Sequence, residues 1–151
     1  MSKEKFDSIY KDEPQKSTGL LFIKAYNKWH GMIKQALTHS GLTHPQFVVL
    51  CTAASLAREH EQVTQVMIAE FSDMDIMTVS QILKLLEKKN FVKRTVHPQD
   101  SRAKTVRATK IGRKKINEAL PVVEDIDIKF FSKLGNQKQI FNEFLLILES
   151  S

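Results

Sequence analysis

The apolar residues of this chain keep a helical period almost throughout and change to a period of two over one short stretch, residues 91–108. That change constrains the fold, because steps of three and four lay apolar side chains along one helix face, whereas alternation lays them along one strand face. Phe91 to Val96 alternates and is β-branched, and Ala103 to Ala108 does the same. Between them His97-Pro98-Gln99-Asp100-Ser101-Arg102 holds the proline and aspartate of a turn. The stretch reads as a two-stranded hairpin in a chain of helices.

What precedes the hairpin gives it a meaning. A short helix begins near Thr64 and carries Val66, Met67, Ala69 and Phe71, and Ser72 to Asp75 forms a turn. Asp75 then caps a longer helix from Ile76 to about Lys89, where Asn90 can take the left-handed conformation that ends it. Short helix, tight turn and longer helix spell helix-turn-helix, and the hairpin directly after it is a wing.

The flanks are helical. Phe22, Tyr26, Trp29, Ile33 and Leu37 lay a stripe along a helix from Thr18 that Gly41 stops. Thr43 and Gln46 have capping-box spacing, with Pro45 in the first turn, and Phe47 to Ala57 is apolar enough to be buried. Thr109 caps a long helix that Pro121 should kink and that Gly135 and Asn136 should end. A last amphipathic helix carries Ile140, Phe141, Phe144, Leu145 and Leu148.

The fold class expected is mainly α with a small β-hairpin wing, in one structural domain at a length of 151 residues. It divides into a flexible arm over 1–17, a dimerisation helix over 18–42, a winged helix-turn-helix lobe over 43–109, and a long helix with a C-terminal dimerisation helix over 110–151. The first and last stripes are too apolar for exposed helices of a compact monomer, so a two-fold homodimer is expected.

Charge points to the partner. Residues 76–115 hold twelve Lys or Arg against two acids, a charge of +10, while the rest of the chain carries −4. A basic block on an otherwise acidic chain is the footprint of a phosphate-backbone binder, here double-stranded DNA. On a wheel of the 76–89 helix Val79, Ile82, Leu83 and Leu86 cluster on one side. Met77, Gln81, Lys84 and Lys88 lie opposite, flanked by Thr78, Ser80 and Leu85. In isolation such a helix reads as amphipathic with a solvated face; beside a wing, its polar side reads as a major-groove surface. Gln81 can bond adenine bidentately, Thr78 and Ser80 can reach bases or phosphates, and Lys84 and Lys88 can take phosphates. The wing candidates are Arg94, Asp100, Arg102 and Lys104. Arg102 stands at the tip, where a cation can enter a minor groove, and Asp100 can fix the wing by pairing with Arg94 or Arg102.

Thr78-Val79-Ser80, Leu86-Glu87-Lys88-Lys89, Val92-Lys93-Arg94, Asp100-Ser101-Arg102 and Thr109-Lys110-Ile111-Gly112 stand in one order and spacing. In that pattern the chain resembles the MarR family, the multiple-antibiotic-resistance regulators of bacteria and archaea. The resemblance implies a homodimer with interlocking terminal helices and two winged lobes in successive major grooves. It also implies a small phenolic or lipophilic effector that weakens DNA binding, with Arg102 as the minor-groove residue and Asp100 holding the wing. Asn90 stands where relatives usually have glycine, and Leu85 and Gln81 occupy positions that are often basic.

Other chemistries find less support. No nucleophile, base and orienter set is visible, so the chain reads as a regulator without catalysis and without a cofactor. No metal is expected: His39, His44 and His60 complete no ligand set, and the downstream histidines of zinc-sensing relatives are replaced by Ala108 and Gly112. The lone Cys51, within Val48 to Ala53, reads as a core residue, with oxidant sensing as the alternative. A lone cysteine, a charged opening segment and no run of about eighteen apolar residues argue for a cytoplasmic protein without membrane spans. Trp29, His30 and Phe47 are the candidate lining of an effector pocket for a small aromatic or lipophilic ligand. The chain is expected to be a sequence-specific transcription regulator that acts as a repressor on an inverted-repeat operator. The alternative is a winged-helix interaction module or non-specific nucleoid binder.

Overall fold

The computed structural model describes residues 7–11 and 13–150, and places six α-helices and one hairpin in the order α1 (Thr18–Ala36), α2 (His44–Leu56), α3 (Gln65–Ser72), α4 (Ile76–Lys88), β1 (Val92–Val96), β2 (Lys104–Ala108), α5 (Lys110–Phe131) and α6 (Lys138–Glu149). The winged helix-turn-helix class expected from the sequence is the fold observed. Much of the flexible-arm expectation lies outside the described residues; within them Pro14–Lys16 forms one 3-10 turn.

Local chemistry sets most boundaries. Ser17, Thr43, Thr64, Asp75 and Thr109 each accept, through the side chain, an N–H three residues on, and so open α1 to α5. Each such cap is worth about 1 kcal/mol. Thr43 and Gln46 form the reciprocal box, with bonds of 3.3 and 3.2 Å. Asp73 (φ 51) and Asn90 (φ 59) take left-handed conformations in the turns after α3 and α4. α5 continues on both sides of Pro121. Its end differs from expectation. The helix stops at Phe131, and a 3-10 segment, Ser132–Gln137, precedes α6 with Gly135 at φ 54.

In the wing β1 and β2 pair antiparallel, with Val92 opposite Ala108 and Val96 opposite Lys104. The two-stranded sheet also gains an isolated bridge that alternation did not reveal. Thr64 bridges Thr105, and the Val106 N–H donates to the Val63 carbonyl at 2.7 Å. The wing is thereby stitched to the segment that opens the helix-turn-helix.

The core is centred on α2, α3 and α4 and takes in part of α5. Val49 and Leu50 of α2, Ile68 of α3 and Val79, Leu83 and Leu86 of α4 are fully buried. The α1 stripe divides: Ile33 and the following Leu37 enter this core, whereas Phe22 and Tyr26 remain 55% and 41% exposed. α6 buries none of its residues.

The junction of wing and α5 is tight. Thr109 Oγ1 donates to the Asn90 carbonyl at 2.6 Å, and the Thr109 N–H donates to the Phe91 carbonyl at 3.0 Å. A Cβ on Gly112 would stand 2.0 Å from the Phe91 carbonyl oxygen, so only glycine admits this approach. Gly112→Ala is expected to displace α5 from the wing base and cost about 1 to 3 kcal/mol. Urea unfolding at fixed protein concentration measures it, and an unchanged midpoint would contradict the close packing.

Candidate nucleic-acid interface

The candidate recognition helix is α4. Val79, Ile82, Leu83 and Leu86 are buried, as the wheel requires, and Met77, Thr78, Gln81, Lys84, Leu85 and Lys88 are exposed. Ser80 is half-buried. Asp75 fixes the start of the helix by accepting the Thr78 N–H at 3.0 Å, and it also accepts the Thr78 hydroxyl at 3.3 Å. Thr78 is therefore oriented by its own cap before any ligand arrives, while Gln81, Lys84 and Lys88 project without a protein partner among the described residues.

The two wing arginines have different surroundings. Arg102 lies at the tip with its side chain 93% exposed. Its N–H donates to Asp100 Oδ1 at 3.0 Å, and the Ala103 N–H donates to the Asp100 carbonyl, so Asp100 builds the turn mainly through the backbone. The Arg102 Nε to Asp100 distance of 3.6 Å is a loose, solvated contact. Arg94 does not turn toward Asp100. Its Nη2 donates to Glu87 Oε1 and its Nη1 to Gln65 Oε1, each at 3.1 Å, and its backbone N–H donates to Glu87 Oε2 at 3.1 Å. With its side chain only 12% exposed, Arg94 ties β1 to the last turn of α4 and the first turn of α3. Lys104, at the tip end of β2, is exposed.

Glu87 and Gln65 belong to this arrangement, and wheel reasoning passed over both. One signal was present: Glu87 is the only carboxylate from Ile76 to Gln99, and a lone acid within a basic block needs a partner. The Arg94 hydrogen bond to its side chain holds the Glu87 carboxyl below the usual glutamate range.

The proposed effector residues are separated rather than gathered. Phe47 is buried in the core. Trp29 borders an apolar cavity of about 230 Å³ with Phe22, Tyr26, Phe130, Phe131 and Phe141, and its Nε1 donates to Asp127 at 2.7 Å. His30 borders a second cavity of about 300 Å³ with Lys34, Thr43 and His44. The His30 ring stacks on Tyr26 at 5.3 Å and stands 5.3 Å from His44, which packs edge-on against Trp29. Burial, then the neighbouring His30, lower the His44 pKa against the pull of Asp127. Cys51 is half-buried, and burial raises its thiol to about 11, which keeps it protonated and weakly nucleophilic at neutral pH. No described helix is long and apolar enough to cross a membrane.

A helix-turn-helix with a locked wing and a basic exposed face defines a winged-helix DNA-binding protein. The MarR family model matches residues 42–104. The chain is 41% identical over 119 residues to YdcH, an HTH-type transcriptional regulator of Bacillus subtilis (strain 168), covering 79% of this chain and 81% of that one. Its fold matches BpsR of Bordetella bronchiseptica at a TM-score of 0.79 and 26% identity, over 91% of this chain and 95% of that one. That structure is described as explaining regulation of DNA binding by 6-hydroxynicotinic acid. A cysteine variant of Escherichia coli MarR complexed with operator DNA shares the fold at a TM-score of 0.76 and 22% identity, over 93% and 96% of the two chains. The chain belongs to the MarR family, and it is a DNA-binding transcription regulator, not an enzyme.

The Arg94–Glu87 tie makes a pH-dependent prediction. Glu87→Gln should lower the unfolding free energy at pH 7 by about 1 kcal/mol, since solvent screens part of the pair at a carboxylate 40% exposed. Because the folded Glu87 pKa is depressed, its contribution is full above the ordinary glutamate value and is lost as pH falls through the folded value. The wild-type and variant stabilities should therefore converge on acidification. Urea titrations from pH 7 downward test this, and a gap that stayed constant would remove Glu87 from the lock.

Proposed function

We propose that the protein acts as a homodimeric repressor on an inverted-repeat operator and leaves it when a small aromatic acid binds. The observation that carries this reading is the Arg94–Glu87–Gln65 tie, which makes α4 and the wing one rigid reader with its polar side free. Gln81 reads a base edge, Thr78, Ser80 and Met77 contact the groove walls, Lys84, Lys88 and Lys104 take phosphates, and Arg102 enters the flanking minor groove. The dimer is supported by exposed apolar side chains on both terminal helices: Leu21, Phe22 and Ile23 on α1, and Phe144, Leu146 and Ile147 on α6. A second copy removes that surface from water.

Two recognition helices related by a two-fold axis enter major grooves about 10 base pairs apart. Arg102→Ala should weaken binding to most sequences and flatten its salt dependence by up to about 0.9 in log–log slope per lost phosphate neutralisation. Gln81→Ala should leave that slope unchanged and relax preference at one base pair per half-site, by about 1 to 3 kcal/mol. Anisotropy on a duplex selected from random DNA reads both, with light scattering to follow the dimer. An Arg102 variant of unchanged affinity, a Gln81 variant of unchanged preference or a stable wild-type monomer would each sink its part of the reading. Selection that yields no palindrome would favour the non-specific binder.

The effector reading rests on the cavity beside His30, where His44, Lys34 and the N-terminus of α2 offer donors to a carboxylate, and on the aromatic residues adjoining it. Trp29, the single tryptophan of the chain, reports on it. Titration with 6-hydroxynicotinic acid should change Trp29 emission and lower operator affinity together, and His30→Ala should abolish both. Emission that changes without any loss of DNA binding would leave the cavity without a regulatory role.

A further inference from the structure

The outer face of the wing carries a basic groove of about 560 Å³ that the reading of α4 and Arg102 does not use. Strand alternation creates it. Val92, Val106 and Ala108 point inward, so Lys93, Thr95, Thr105 and Arg107 occupy the opposite face of the sheet. The groove extends from Val96 and Pro98 near the tip to Thr109, Lys110 and Arg113 at the start of α5. Lys93, Arg107, Lys110 and Arg113 are exposed, and among the described residues no carboxylate lies within ion-pair distance of any of them. Arg113 is held in place by donating from Nη1 to the Ala108 carbonyl at 2.7 Å. Glu61 is the one acid in the lining.

We infer that this groove takes the sugar-phosphate backbone of the duplex flanking the operator, outside the minor groove entered by Arg102; the inference rests on the operator reading above. Four cations without an ion-pair partner among the described residues line this one groove, Lys93 from β1, Arg107 from β2 and Lys110 and Arg113 from the start of α5, and together they offer contacts to more than one phosphate. The geometry also fixes which DNA is met. The inner face of the sheet is turned to α4 through the Arg94–Glu87 tie, so the outer face looks away from the DNA that α4 reads. Only flanking duplex, bent up along the wing, reaches it. Phosphate contacts of this kind carry no base information, so they add affinity without changing the operator sequence. The bend costs elastic energy, so pliable flanks are preferred.

The test compares two duplexes carrying the same selected inverted repeat. One ends just beyond the wing minor grooves, and the other continues for about 10 base pairs, roughly one helical turn, on each side. The wild-type dimer should bind the long duplex at least several-fold more tightly, with a log–log salt slope steeper by about 2 to 4, near 0.9 per added phosphate contact over two wings. Lys93→Gln with Arg107→Gln should bind the short duplex as the wild type does and lose the gain on the long one. Circular dichroism checks that the double variant is folded. Equal wild-type affinity for both duplexes, or a gain retained in the double variant, would overturn the inference while leaving the operator reading intact. Failure of the wild type to bind the short duplex would instead bring down the operator reading and the inference with it. Pyrophosphate displacing the short duplex at matched ionic strength, in the wild type and not in the double variant, would assign the groove to a small anion and overturn the inference.

Discussion

A single guanidinium holds the reader of this protein together. Arg94 spans from the first strand of the wing to Glu87 near the end of α4 and Gln65 at the start of α3, and it is mostly shielded from solvent. A hairpin of two five-residue strands is marginally stable by itself, so its angle to the recognition helix has to be imposed by contacts outside it. A planar guanidinium, with donors in a fixed fork, transmits orientation as well as attraction. That tie fixes β1 against the end of α4, beside the backbone contacts that also anchor the wing.

The same wing is anchored twice more through the backbone. Val63 and Thr64 bridge to β2 on one side, and Thr109 with Gly112 brings α5 against the turn at Asn90 and Phe91 on the other. α5 leaves this junction and runs 22 residues to the aromatic cluster at α1. One continuous helix thus joins that cluster to the base of the wing. The Trp29 bond to Asp127 and the His30–His44 contact lie where α1, α2 and α5 meet.

Charge and shape divide the work on DNA. The exposed face of α4 carries Gln81, whose amide has the geometry for bidentate bonding to adenine, beside the exposed Lys84 and Lys88. The chain concentrates its cations in 76–115, and the fold distributes them over α4, the wing tip and the outer wing face.

Much of this architecture was legible in the residue order. The helix starts at Thr43, Thr64, Asp75 and Thr109, the hairpin at 91–108 and the buried side of α4 depend on interactions three or four residues apart, or on periodicity. The sequence therefore determined the elements and their order. It did not determine which partner Arg94 takes, because Glu87 is seven residues away and Gln65 twenty-nine, and Asp100 was an equally good acid by distance along the chain. Nor could it show that the α1 stripe is half core and half exposed, or that Trp29, His30 and Phe47 face three different surroundings. Those outcomes depend on where α2 and α5 cross α1, and chain-distant packing of that kind leaves no local pattern to read. Tertiary structure alone decided them, because a side chain with several chemically suitable partners takes the one that the packed backbone brings within reach.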